Sequence, residues 1–409
     1  VIDEADSVMI DEASSALILS GSSGQAHPRP DPYILASKVS NQLIESEHYL
    51  ADIKTRRIQF SAKGVQEMLS RLDRVTKNNL VRPWETYVAN ALSAKHFFLL
   101  DVDYLVIDDS IQIVDAFTGR RFEDRSWSEG LHQAVESKEG VTVTEESQSM
   151  LSISRHHFFQ LYQHRCGMTG TAVGCEEELD QIFGMGVKRI PLHKDSKRKY
   201  DPLIFYNTTE EKWNGVVEQV KEINKQGAPV LVGTQSVHES EELAKRLEVN
   251  GISNNVLNAR HDEAEAELVA EAGKRKAVTV ATNMAGRGTD IPISPQVKQL
   301  GGLYVIVTEP NRSRRIDRQL IGRCARQGDP GIARIFCCKE DMIFEDTSPL
   351  KWTTLKKDGG WDVDAIAEYV IAIQKRNDKN DFEKRLNMMS HSQWREGLVS
   401  KISGKAVVE

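Results

Sequence analysis

The sequence predicts an α/β protein organised around a parallel, doubly wound sheet, and three observations carry that reading. From Leu203 to Cys337, short β-branched runs alternate with amphipathic helices, a pattern that makes strands parallel and covers them with helices. Inside that block Val278–Val280 reads as a buried strand and runs into a polar, glycine-broken loop, Ala281–Ile291 (ATNMAGRGTDI). Ligands sit at the carboxyl ends of strands in such sheets, and Gly286 and Gly288 let the backbone come close to one or turn with positive φ. The composition is that of a soluble globular chain, 40% hydrophobic and 28% charged over 409 residues, with room for two or three domains.

In chain order, Val1–Asp6 (VIDEAD) is a strand end running into an acidic cluster. Gly21 to about Pro32 is rich in glycine, serine and proline and reads as a linker. Ala62–Leu72 and Trp84–Leu100 read as helices. Tyr104–Ile107 and Ile111–Val114 alternate around Asp108-Asp109-Ser110, which predicts a hairpin. Ser128–Lys138 is a short helix stopped near Gly140. About 120 residues of mixed α and β therefore follow the acidic cluster, too many for a loop, so they fold as a unit of their own. Ile153–Cys166 is helix-like and leads into Gly167–Ala172 (GMTGTA). Pro191–Pro202, basic and hydrophilic, reads as a linker.

The α/β block then begins. Leu203–Tyr206 is a strand and Glu210–Gln226 an amphipathic helix. Val230–Val232 is a buried strand, and Ser236–Glu239 a capping box that opens a helix stopping at Gly251. Asn255–Leu257, Val278–Val280, Leu303–Val307 and Ala333–Cys337 supply further strands. Asp362–Met389 is nearly all helix-forming, with Val363, Ile366, Val370 and Ile373 and then Phe382, Leu386 and Met389 on an apolar stripe that needs a partner. It reads as a long brace, with a lever between domains as the functional alternative.

Charge and cysteine usage bound the partners. The net charge of −7 gives no overall basic field towards nucleic acid or acidic membranes. No apolar run approaches 20 residues, and no stretch of these residues reads as a signal peptide. The five cysteines lack zinc spacing and suit a reducing cytoplasm. The chain begins at Val1 inside what reads as a strand, so it looks like a fragment.

The residues that carry chemistry are few. In a phosphoryl-transfer site one carboxylate at a strand end holds Mg²⁺ and a neighbour activates the attacking water. Asp3 fits the first role and Glu4 the second. In Gln319–Asp329 (QLIGRCARQGD) a helix would set Arg323 and Arg326 on one face, and two planar guanidiniums suit a phosphate better than lysines would. The threonine hydroxyls of GMTGTA can couple a nucleotide site to movement.

These stretches resemble the SecA family, the ATPase motors of bacterial preprotein translocation. The resemblance runs in register from Val1 to about Asp341, and more loosely to about residue 390. It is carried by VIDEADSVMIDEASSALILSG, WSEGLHQAVESKEGV (Trp127–Val141), GMTGTA, VGT, NVLNA, ATNMAGRGTDI, SRRIDRQLIGR and RQGD. It implies two RecA-like P-loop ATPase domains of the helicase superfamily 2 type, the first incomplete, with an inserted α+β clamp and a C-terminal helical scaffold. Residues 1–21 and 147–193 would belong to the first nucleotide-binding domain and 22–146 to the preprotein cross-linking domain. Residues 194–345 would be the second nucleotide-binding domain and 346–409 the start of the scaffold.

The same resemblance implies ATP and Mg²⁺ as cofactors, with Asp3 serving the metal, Glu4 the catalytic water, and Arg323 and Arg326 acting as arginine fingers. Asp290, Gly288, Arg287, Gln319 and Thr169 would line the nucleotide side, with Gln319 supporting the arginines. The partners implied are an unfolded preprotein and a SecY-type membrane channel, with anionic lipid and a second copy as further candidates and no nucleic acid. The location implied is the cytoplasm, peripheral on the inner face of the bacterial plasma membrane.

Four departures stand out. No GxxxxGK[ST] occurs, so the cradle and lysine for the β/γ-phosphates are missing, and weak or no ATP hydrolysis by the chain alone is expected. Ser14-Ser15-Ala16 stands where the family usually has Arg-Thr-Pro, and Asp115-Ala116-Phe117 lacks an acidic residue frequent in the clamp. Cys324-Ala325 replaces the usual Ser-Gly between the two arginines, and since alanine permits a helix, the fingers are expected to survive. The rival functions are a superfamily 2 nucleic-acid helicase, disfavoured by the long insertion and the absence of a basic surface, and a non-catalytic preprotein-binding relative.

Overall fold

The computed structural model describes the chain apart from residues 14–15, 22–25, 54, 115–120, 123–124, 147, 258–264, 283–288, 358 and 404–409. The glycine-broken loop expected at the nucleotide, with Arg287 and Gly288, therefore lies largely outside the described residues, as do Ser14-Ser15 and Asp115–Phe117. The chain forms two compact units, one of Val1–Leu17 with Ile153–Glu409 and the other of Ile18–Ser152.

The first unit contains the predicted sheet. Its strands run in the order Asn255–Leu257, Val278–Thr282, Val230–Thr234, Leu303–Val307 and Pro330–Cys338, all parallel. Lys197–Tyr200 and Ile204–Tyr206 share the far edge, both parallel to Pro330–Cys338. Alternate residues feed two separate cores, as burial on both faces of a parallel sheet requires. Val230, Val232, Val278, Val280, Tyr304 and Ile306 pack with Trp213, Val216 and Val220 of the Thr209–Gln226 helix and with Leu243 and Leu247 of Val237–Val249. Leu231, Ala281, Leu303, Val305 and Val307 pack on the other side with Val269, Leu320 and Ile321. Ser236 caps its helix as the box predicts, accepting from Glu239 N at 3.2 Å, while the Glu239 carboxylate accepts from Gln235 N at 2.8 Å.

Two linker and helix expectations are corrected. Lys197–Tyr200 is no linker: it adds to the sheet edge through its backbone while its side chains stay mostly exposed. The helix expected over Ile153–Cys166 is only Arg155–Gln160. There Arg165 Nη1 donates to the carbonyls of Phe159, Gln160 and Tyr162, at 3.1, 3.1 and 2.9 Å, taking acceptors that a further helical turn would use.

The predicted brace is a helix from Val363 to Ser403. Ile366, Val370 and Ile373 bury against Phe205, Cys337, Phe344 and Trp352 beside the sheet. Phe382, Leu386 and Met389 pack on Ala5, Met9, Leu179 and Phe183 from the other part of the same unit. Among the described residues no helix is long and apolar enough to cross a membrane.

The second unit packs helices Asp31–Ser40, Trp84–Phe97 and Leu131–Glu139 with small antiparallel sheets. The hairpin Tyr104–Ile107 with Ser110–Val114 turns through Asp108 and Asp109, whose φ values of 49° and 58° are those of a type I′ turn. The WSEGLHQAVESKEG stretch serves this core. Trp127 packs edge-on against Phe98, with centroids 4.8 Å apart. Gly130 has φ +82°, and a Cβ there would sit 3.0 Å from Arg82 Nη1. Burial pushes the imidazole pKa of His132 down to about 4, so that side chain is a neutral core group.

Candidate functional site

The acidic cluster and GMTGTA are neighbours because Ile2–Asp3 pairs in parallel with Gly167–Met168, with Asp3 opposite Met168. Past the strand, Glu4 turns the chain at φ 49° and Ser7–Asp11 follows as a π-helical turn, with Glu12 N donating to Ser7 O at 3.0 Å. Such turns and positive-φ residues collect at functional sites. Asp3 is exposed and accepts from Glu4 N at 2.9 Å.

The turn carries Asp6 inward. Its carboxylate is fully buried and accepts from Thr169 Oγ1 at 2.7 Å, Thr171 Oγ1 at 2.6 Å, Gln319 Nε2 at 2.7 Å and Arg315 Nη1 at 3.1 Å. Arg315 also forks onto Asp11, through Nη1 at 2.7 Å and through Nη2. Burial works against the guanidinium's charge, yet Asp11 and Asp6 together hold its pKa above the usual arginine value. Arg315 and Gln319 lie four apart on the Arg314–Ile321 helix, so one helix face delivers both. This latch joins VIDEAD, GMTGTA and SRRIDRQLIGR in one buried network.

Thr169 and Gln319 thus reach Asp6, which was not among the predicted site residues, and neither were Thr171, Arg315 and Asp11. A signal existed: a buried carboxylate needs a cation and several donors, and Arg315 with Gln319 at helical spacing could have supplied them.

Asp290, Arg323 and Arg326 come together in the parallel-sheet part of the first unit, but not as one helix face. The helix ends at Ile321 with Gly322 as its cap, and Ala325 has φ 55° and ψ 41°, a left-handed conformation. Alanine therefore does not continue a helix between the arginines as expected. Arg323 is buried and donates to Thr289 O at 3.0 Å, while Arg326 pairs with Asp290 at 3.4 Å and donates to Gly322 O at 3.1 Å. Gln327 Nε2 also reaches Asp290, at 3.3 Å. Both arginines are thus held close to residues 289–290.

Among the described residues no group of three His, Cys, Asp or Glu side chains converges to hold a metal. Mg²⁺ does not need such a cage, since it takes one or two carboxylates with phosphate and water oxygens, and the exposed carboxylate of Asp3 beside Glu4 fits that requirement.

Comparison with known proteins finds one family. The SecA P-loop domain family matches residues 195–296 and 293–350, and the SecA preprotein cross-linking domain family matches 29–136. A Thermosipho melanesiensis protein translocase subunit SecA is 46% identical over 348 residues, which is 84% of this chain and 40% of that protein. A Nitratiruptor SecA is 41% identical over 401 residues, 96% of this chain and 46% of that protein. A Magnetococcus marinus SecA 2 is 40% identical, covering 96% of this chain and 61% of that protein. The chain spans about half the length of the curated relatives it matches.

Proposed function

We propose, from the premise that the chain belongs to the SecA family, that it works as part of an ATP-driven translocase that moves unfolded preproteins through a membrane channel. The observation that carries this reading is the buried latch on Asp6. It ties the acidic segment, where hydrolysis would occur, to the helix just upstream of the paired arginines, so a change at one side is felt at the other.

In this reading Asp3 holds Mg²⁺, which when bound neutralises charge on the phosphates. Glu4 accepts the proton of the attacking water. Asp290 contacts nucleotide from the second domain, with Arg287 and Gly288 of the same loop. Arg323 and Arg326 stabilise charge building on the transferred phosphoryl group, Arg326 leaving its half-exposed pairing with Asp290 to do so. Thr169 and Gln319 act through Asp6, passing movement across the latch. The Ile18–Ser152 unit, which contains the match to the preprotein cross-linking domain, holds the client. We place the protein at the cytoplasmic face of the bacterial membrane, with a SecY-type channel as partner and anionic lipid or a second copy as further contacts.

The sequence holds no GxxxxGK[ST], so phosphate release by the purified chain should be weak or absent, and sustained turnover would refute that expectation. The function itself is tested by client choice. A fluorescent, urea-denatured secretory protein diluted into the chain should bind and stay bound when excess single-stranded RNA is added. Displacement by RNA would favour a helicase, and binding of a folded partner but no unfolded chain would favour a non-catalytic module.

A further inference from the structure

We propose that Gln374 on the long helix is a positioning residue for the latch, setting the seat of the Arg314–Ile321 helix and thereby the reach of Arg315 and Gln319 to Asp6. The inference rests on the proposed ATP-driven reading for its purpose, but not for its geometry.

Arg315 and Gln319 occupy one face of their helix, and Asp317, two residues from each, points about 200° away at 100° per residue. On that opposite face the Asp317 carboxylate is buried and accepts from Asn311 N at 2.9 Å, Asn311 Nδ2 at 2.7 Å and Gln374 Nε2 at 2.7 Å. The same Gln374 amide nitrogen donates to Asn311 O at 2.8 Å, so both of its hydrogens are committed to this segment. Gln374 is 2% exposed and follows Ile373, which is anchored in the apolar cluster on Phe205 and Trp352.

A residue serving only to pack would be leucine or methionine, because a buried amide costs stability unless every polar atom is satisfied. What the amide adds is direction: displacing the long helix by about 1 Å breaks a hydrogen bond that apolar contact would tolerate. The helix also grips the other side of the latch, where Arg385 Nη2 donates to Glu178 at 2.9 Å. One element therefore touches the helix that carries Arg315 and Gln319 and also packs beside the turn that carries Asp6.

Hydrogen–deuterium exchange of the whole chain without nucleotide tests the role, and it reads the Gln374–Asp317 contact whether or not the ATP reading holds. Gln374→Leu should speed exchange of the Arg314–Ile321 amides and of residues 1–13 by about ten- to hundredfold, as expected for losing a hydrogen bond to a buried carboxylate. The Val230–Thr234 strand should be unchanged. Gln374→Glu should lie much closer to the parent at pH 5, where a shared proton keeps the donor to Asp317 though not the one to Asn311 O, and should match Gln374→Leu at pH 8. The charged groups around that pair are Arg314 on the same helix, Arg312 with its partner Asp381, and Asp378 on the long helix.

Acceleration spread evenly over the unit would reduce Gln374 to packing and overturn the proposal. So would a Gln374→Glu profile that does not change with pH, and this second variant decides the matter if Gln374→Leu does not fold.

Discussion

Replacing Arg315 with methionine is the sharpest test of the latch, because the substitution keeps much of the aliphatic stem and deletes only the charge and the fork. Arg315 is 5% exposed and lies between Asp6 and Asp11, which are 0% and 7% exposed. Its loss removes the bonds to Asp6 at 3.1 Å and to Asp11 at 2.7 Å, together with the second arm to Asp11. Deleting one member of a buried ionic cluster costs about 3–5 kcal/mol, mostly from the carboxylates left behind without their cation. At roughly 2 °C per kcal/mol for a unit of this size, the melting temperature of the first unit should fall by about 6–10 °C. Differential scanning calorimetry at pH 7 reads that shift directly. Adding Asp11→Asn should return part of it, with a coupling of roughly 0.5–3 kcal/mol in the double-mutant cycle. A loss below about 1 kcal/mol, or strict additivity with Asp11→Asn, would mean that the guanidinium is solvated and the latch is not closed.

Burial pushes the Asp317 carboxyl up to about 6, even though Asn311 and Gln374 donate to it. The folded state then binds this proton more tightly than the unfolded chain, so the contribution is full below about pH 4 and is lost as pH rises through about 6, roughly 3 kcal/mol in all. Asp317→Asn should flatten the stability profile across that window, and an unchanged slope would assign the dependence elsewhere. Ala325→Gly should raise stability by about 0.5–1 kcal/mol, because φ 55° strains alanine and not glycine; a loss in chemical denaturation would refute the strain. Ile366→Ala, at a fully buried position where the long helix docks, should cost about 2–5 kcal/mol. Asp290→Ala, at a half-exposed ion pair, should change stability by less than about 1 kcal/mol, and a larger effect on melting would show that the pair is structural.

The parallel block was legible because its signals are local and redundant. Val278, Val280, Val305 and Val307 are β-branched and buried on both faces, and Ser236 with Glu239 caps a helix by sequence alone. The stripe from Ile366 to Met389 announced a long helix for the same reason. Edge strand Lys197–Tyr200 escaped because it joins mainly through backbone groups, with the Arg198 side chain reaching the Cys324 carbonyl, and its other charged side chains look like linker. Arg323 and Arg326 were set on one helix face because i,i+3 spacing presumes a helix, while Gly322 and left-handed Ala325 end it between the two arginines. Asp6 was passed over because an acidic run reads as solvated, and only the tertiary approach of Arg315, more than 300 residues away in sequence, makes it a buried hub.

The site is divided between a polar latch and an apolar strap. The Phe382, Leu386 and Met389 contacts of the long helix are non-directional, so they hold the two parts of the unit together across small displacements. The Asp6 network is directional and buried, so it is either fully made or costly to leave half-made. In the proposed cycle, coupling the two would let the segments stay joined while the latch switched between discrete states, since packed interfaces are bistable and not continuously deformable. Gln374 sits where these two kinds of contact meet, one residue from Ile373 in the apolar cluster and one hydrogen bond from Asp317. A nucleotide that moved the arginines would therefore act first on the latch, and the long helix would respond through Gln374 and through the contacts of Asn377 and Asp381 to Arg312 before its apolar contacts had to change.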